Sequence, residues 1–210
     1  MGREDFLENI RILLSSDVRR FVDNRVESFR SIDRYSPRIV MRELAYCILT
    51  ANYRADKVLE IERVLGDRYI DISYEELRNA LKEMGYRYPN VRSRYIVLAR
   101  GVLAEVISVI NSGLESSLTR SRLVKLVKGF GMKEASHFLR NIGFLDLAII
   151  DRHIIKILRY YGLVGEVASL TPSRYLELEG LIKDLSGELG IEPGVLDLYM
   201  WYMSTGKVLK

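Results

Sequence analysis

Apolar residues recur at intervals of three and four along nearly the whole chain, and no stretch alternates apolar with polar between turn signals as a strand would. A chain patterned this way folds from helices packed on helices, so the expected class is all-α. Helix start signals are frequent. Ser36-Pro37 opens an apolar-periodic stretch to about Ala51, Ser73 with Glu76 makes a capping box, and Thr171-Pro172 opens a helix to about Leu189. Gly66, Gly85, Gly143, Gly162 and Gly190 supply stops. Connections this short predict about ten helices, packed as antiparallel or crossing neighbours in two bundles. No internal repeat, low-complexity stretch or long linker interrupts them.

With 210 residues, 48% of them hydrophobic, the chain can bury a sizeable core. Membrane and secretory readings fail: the apolar runs are short and broken by charge, and the N-terminus, MGREDFLENIRILL, is acidic and amphipathic where a signal peptide is basic and then apolar. The single cysteine, Cys47, permits neither an internal disulfide nor a cysteine-ligated zinc or iron-sulfur cluster, so no metal and no cofactor is expected. A net charge of +4 and a pI near 9.1 lean only weakly towards a nucleic-acid partner. The absence of glutamine beside heavy use of Arg, Lys and Glu is a bias shared with proteins from hot environments. A thermophilic, intracellular origin follows as an expectation.

Residues 125 to 156, KLVKGFGMKEASHFLRNIGFLDLAIIDRHIIK, carry the chemistry. A Gly-x-Gly hairpin lies between two amphipathic stretches, a lysine comes just after it, and an aspartate opens the next helix. Gly129 and Gly131 flank Phe130, an arrangement expected to let a tight turn take positive backbone dihedrals while its amides point outward from a helix N-terminus. Such a nest of N–H groups holds a phosphate oxygen without reading base sequence, which makes Gly129, Phe130 and Gly131 a candidate DNA clamp.

Lys133 falls in the first turn of the helix after the hairpin, at the positive end of its macrodipole. In its neutral form the amine is a nucleophile: beside C1′ of a deoxynucleotide it can displace the base and form a Schiff base with the opened sugar. Alone, a lysine in this place is more often a solvated charge or a phosphate contact. Asp151 shifts that balance. It stands between the apolar run LAII and RHIIKILRYYG, a natural N-cap whose carboxylate accepts amide hydrogen bonds. A fixed anion near C1′ would also stabilise the positive charge that builds on the sugar as the base departs. His153 is a weaker candidate for a general base, since a histidine on the first turn of an apolar helix more often packs or bonds locally.

The string VKGFGMKEASHFL followed by AIIDRHI resembles the helix-hairpin-helix DNA glycosylase superfamily, in which the hairpin leads to the catalytic lysine of bifunctional members and an aspartate lies on the next helix. The matching positions are Lys133 and Asp151. The missing cysteine cluster sets the chain apart from the endonuclease III branch. Within the superfamily, ELAYCILTANYRADKV (43 to 58), GYRYPNVRSRYIVLAR (85 to 100) and the ending DLYMWYMSTGKVLK (197 to 210) look like the archaeal type 2 8-oxoguanine DNA glycosylase/lyases, over nearly the full length. Members of that family end at a lysine, as this chain does at Lys210.

The resemblance implies two helical domains with a DNA-binding cleft between them, mapped here as 34–145 for the hairpin-bearing bundle and 1–33 plus 146–210 for the other. It implies a base-flipping enzyme acting on double-stranded DNA that contains 8-oxoguanine, with no cofactor, working as a monomer in the cytoplasm of an archaeal cell on nucleoid DNA. Trp201, the sole tryptophan, and Tyr88 become the expected walls of the base pocket, with Tyr86 competing for the place of Tyr88. The carboxylate of Lys210 becomes the expected reader of the oxidised base. Asn52, Arg92 and Arg94 become expected contacts to phosphates or to the gap left in the duplex. Without the resemblance, an aromatic at helical spacing is more often core, the arginines are ordinary exposed charges and Asn52 is a helix stop. A non-catalytic helix-hairpin-helix module gripping duplex DNA, and a glycosylase for another oxidised base, stay open as alternatives.

Overall fold

The computed structural model describes residues 2–210, and among them there are helices and turns but no β-strand. Twelve α-helices follow one another: α1 (Arg3–Leu14), α2 (Val18–Arg30), α3 (Pro37–Thr50), α4 (Ala55–Leu65), α5 (Tyr74–Glu83), α6 (Pro89–Gly101), α7 (Leu103–Ile110), α8 (Ser116–Leu126), α9 (Met132–Asn141), α10 (Arg152–Tyr160), α11 (Pro172–Leu189) and α12 (Pro193–Thr205). A 3-10 turn, Gly66–Ile70, follows α4. The expected caps are in place: Ser36 accepts from the Ile39 amide, Ser73 from that of Glu76, and Thr171 from that of Arg174. The chain exceeds the expected ten helices partly because α6 and α7 are separate. The backbone turns at Val102 (φ −110°, ψ 10°), right after Gly101.

The chain divides into two compact units, Ile32–Ile142 and a second formed by both ends, Met1–Ser31 with Gly143–Lys210. In the first, α3 is the central helix. It packs on α4, α6, α7, α9 and the 3-10 turn, and every residue from Leu44 to Thr50 is buried. A helix apolar on all sides belongs in the middle of a bundle. Glu43, buried on α3, accepts a hydrogen bond from Asn141 Nδ2 at 3.2 Å, and Arg140 donates to Asn141 Oδ1 at 3.0 Å. Arg120 on α8 donates to Ser136 Oγ. These buried polar links hold α9 on both of its neighbours, since each group would otherwise lose its hydration without replacement.

In the second unit α12 has the central place, packed on α1, α2, α10 and α11. The segment Leu147–Ile150 enters this core without being helical. Its backbone is satisfied by side chains of α11: Glu179 Oε1 accepts from the Ala148 amide (3.2 Å), the Tyr175 hydroxyl accepts from the Ile150 amide (3.3 Å), and that same hydroxyl donates to the Ala148 carbonyl (2.9 Å). A buried extended segment needs such partners for its amides and carbonyls. No helix of the described residues is long and apolar enough to cross a membrane.

Candidate nucleic-acid interface and catalytic groups

From Ala135 to Asn141 every residue of α9 is buried, whereas Met132, Lys133 and Glu134 are half-exposed. The helix is therefore anchored by its C-terminal turns and brings only its first turn to the surface. Lys133 lies there, and among the described residues it forms no ion pair. The amides of that first turn have no intrahelical acceptor, which leaves donors at the surface beside the lysine.

The hairpin that precedes α9 differs from the expected one in two respects. Gly129 has φ +92°, but Gly131 is extended, with φ −104° and ψ −171°. Glycine is therefore demanded at position 129, where an added Cβ would also lie 2.4 Å from Cδ2 of the Tyr95 ring, and not by the backbone at 131. Phe130 is not displayed to a ligand either. It is 7% exposed, lies against Phe138 with ring centroids 6.0 Å apart, and its amide donates to the Val127 carbonyl. An apolar ring at the tip of a hairpin gains more by entering the core than by facing water. The Gly131 amide is occupied within the chain by Glu134 Oε2 at 3.2 Å.

The turn after α3 lies in the same unit. Asn52 is exposed and has φ 58°, the one positive value of a non-glycine residue among the described residues. Arg92, expected to reach DNA, instead turns inward: its Nη2 donates to the Ala51 carbonyl at 3.0 Å, and its guanidinium lies over the rings of Tyr88 (6.0 Å) and Tyr95 (5.7 Å). Arg94 is exposed. Tyr88 is half-buried and stands directly before Pro89, the first residue of α6. Tyr86 is core: its hydroxyl donates to the Leu49 carbonyl at 2.7 Å, its ring meets Tyr53 edge to face, and burial raises its pKa against the opposing pull of the Arg92 charge.

In the other unit Asp151 caps α10 as expected. Its Oδ1 accepts both the His153 amide (2.8 Å) and the Ile154 amide (2.9 Å), and among the described residues no donor reaches Oδ2. The buried run before it fixes where the cap stands, so Tyr175 and Glu179 act on its position. Those two sit 24 and 28 residues beyond Asp151, and no local pattern announces them. The His153 ring is engaged with Ser204 Oγ at 2.9 Å and meets the Trp201 ring edge to face at 4.7 Å, so it packs and bonds across to α12, 51 residues on at Ser204, and not within its own turn. Trp201 is half-buried, and its Nε1 is buried without an acceptor.

After α12, Gly206 takes the left-handed conformation (φ 68°) and turns the chain. Val208, Leu209 and Lys210 are half-buried. With Phe21, Asn24, Arg25 and Ser28 of α2, the tail residues Lys207, Val208 and Leu209 border a cleft of about 660 Å³.

The sequence model of 8-oxoguanine DNA glycosylase matches residues 22–191. The chain belongs to the 8-oxoguanine DNA glycosylase family. A glycosylase/AP lyase of this family from Korarchaeum cryptofilum is 44% identical over the whole of both chains, and one from Methanocaldococcus jannaschii is 39% identical over 97% of this chain and 99% of its own. The crystal structure of the Methanocaldococcus jannaschii protein in complex with a 15mer DNA containing 8-oxoguanine superimposes with a TM-score of 0.94, at 38% identity and covering 98% of this chain and 99% of that one. The 8-oxoguanine DNA glycosylase of Thermotoga maritima gives 0.91 at 33% identity, with full coverage of both. The all-helical fold is thus shared with these two solved proteins, and the resemblance extends over nearly the full length of the chain.

Proposed function

We propose that this chain is a bifunctional 8-oxoguanine DNA glycosylase/AP lyase with Lys133 as nucleophile and Asp151 as the stabilising anion. The observation that supports it most is the likeness, over nearly the whole of both chains, to a relative crystallised with DNA containing 8-oxoguanine. The damaged nucleotide leaves the stack of a duplex, at a cost of a few kcal/mol that stacking and edge hydrogen bonds must return. Trp201 and Tyr88 are the candidate stacking partners and the Lys210 carboxylate the candidate acceptor for the N7 proton that normal guanine lacks. Gly129 and the first-turn amides of α9 that follow Gly131, with Asn52 and Arg94, are the candidate grip on the backbone and on the gap in the duplex.

In the reaction, Lys133 Nζ forms a bond to C1′ as the C1′–N9 bond breaks and its electron pair leaves with the base, which takes up a proton. The Asp151 carboxylate stabilises the positive charge on the sugar during that departure. Opening of the ring at O4′ gives the imine. Removal of a proton from C2′ then expels the 3′ phosphate and cuts the strand by β-elimination. The enzyme performs this on chromosomal DNA without a metal or an organic cofactor.

Borohydride trapping on an 8-oxoguanine duplex tests this reading, because reduction of an imine leaves a permanent crosslink. The wild-type protein crosslinks and Lys133→Gln does not. A protein that binds the duplex but never crosslinks is a non-catalytic clamp. Release of a different oxidised base in preference to 8-oxoguanine makes it a glycosylase of other specificity.

A further inference from the structure

The α3 helix ends in an uncommon way. Its terminal carbonyls lack intrahelical donors, and two are taken by side chains more than thirty residues later in the chain: Leu49 by the Tyr86 hydroxyl at 2.7 Å and Ala51 by Arg92 Nη2 at 3.0 Å. Tyr53, just beyond the turn, donates from its hydroxyl to the Gly85 carbonyl and lays its ring on Tyr86. Between these anchors Asn52 sits exposed with a positive φ of 58°, a conformation that asparagine tolerates better than most residues with a Cβ. The turn can therefore present an amide side chain where a glycine would present none.

From this geometry we infer that Arg92, with Tyr86 behind it, is a positioning residue: it holds the Ala51–Asn52 turn so that the Asn52 amide faces DNA, and does not itself contact a phosphate. The planar fork is what the place requires. Nη2 donates to a carbonyl while the guanidinium lies over two tyrosine rings, an arrangement that an ammonium on a flexible stem reproduces poorly. A phosphate-seeking arginine would be directed to solvent, as Arg94 is. The inference rests on the proposed function, because it assumes that the exposed turn meets the duplex.

Salt dependence of duplex binding separates the two roles. A direct phosphate contact releases a counterion, so its removal lowers the slope of log K against log salt by about 0.9. Arg92→Met is expected to weaken binding of an 8-oxoguanine duplex roughly tenfold with the slope unchanged, the lost fold-change being that of a hydrogen bond to a charged group. Arg94→Met is expected to lower the slope. Asn52→Ala, added to Arg92→Met, is expected to cost nothing further, since the arginine acts through the asparagine. Arg92→Lys keeps the charge and the fold and is expected to behave as Arg92→Met does. A reduced slope for Arg92→Met, multiplied losses in the double variant, or wild-type binding by Arg92→Lys would each overturn the inference. Borohydride trapping through Lys133 on the same duplexes reports on the glycosylase reading independently, so failure of one is distinguishable from failure of the other.

Discussion

The hairpin and the chain's end serve the same proposed reaction but are held in place by different means. At residues 127–133 nearly everything is local: Gly129 in its positive φ, Phe130 folded inward onto Phe138, the Gly131 amide answered by Glu134 three residues on. At the chain's end the local bonds are those of the turn itself, where the Lys207 amide donates to Thr205 Oγ1 and that hydroxyl donates to the Lys207 carbonyl. Gly206 ends α12, the chain from Lys207 to Lys210 is non-helical, and Lys207, Val208 and Leu209 border a cleft whose other wall is α2, some 180 residues earlier. A grip for the sugar-phosphate backbone needs the same geometry at every site on DNA and is suited to a rigid local motif. A reader of one altered base is made from whatever the fold brings to it, and this difference implies that the two regions fail separately.

The largest effect should come from Lys133→Gln, which removes the nucleophile. It is expected to abolish borohydride crosslinking and strand cleavage while duplex binding, measured by fluorescence anisotropy, stays near that of the wild type. Retained crosslinking would remove Lys133 from the mechanism. Asp151→Asn comes next. Asparagine caps about as well as aspartate, so the thermal unfolding midpoint should hardly move, while single-turnover excision falls by about two to three orders of magnitude for want of the anion. Loss of stability with an unchanged rate would leave Asp151 as a cap alone.

At the chain's end, deletion of Lys210 or a C-terminal tag should lower 8-oxoguanine excision about ten- to a hundredfold, the scale of a lost charged hydrogen bond. Cleavage at a preformed abasic site should be largely preserved. If both activities drop together, the tail supports the fold and does not read the base.

The two hairpin glycines sharpen the comparison further. Gly129→Ala places a Cβ at a positive φ and against Tyr95, and should cost about 1–3 kcal/mol with weaker binding to damaged and undamaged DNA alike. Gly131→Ala meets only the movable end of Glu134 and should cost under about 0.5 kcal/mol. Equal losses in urea titrations of the two would contradict the assigned backbone conformations.

The smallest effect concerns the Ser73 cap of α5. Hydrogen bonds from the Ser73 side chain and amide hold Glu76 below its ordinary value of 4.5. Its folded pKa being depressed, the stability it contributes is present above 4.5 and is lost as the pH falls through the lower folded value. Glu76→Gln should therefore lower stability by a small amount on the neutral side of a stability-pH curve, leave the acid end little changed, and so flatten the curve between them.

Read from the sequence by itself, helical class, the caps at Ser36, Ser73, Thr171 and Asp151, the glycine stops and the candidate pair Lys133 and Asp151 were all within reach. Each rests on neighbours within four residues, the range over which hydrogen bonding and helical period act. Two matters were decided only by tertiary structure. Arg92 turns inward because the Ala51 carbonyl and two tyrosine rings offer more than water does. The run Leu147–Ile150 can be buried without helical hydrogen bonds because Tyr175 and Glu179 answer its backbone from a helix that begins more than twenty residues later. The physical reason is the same throughout: a local pattern fixes which backbone groups are paired within an element, but a side chain's direction follows from the partner that best compensates its desolvation, and that partner is chosen by packing.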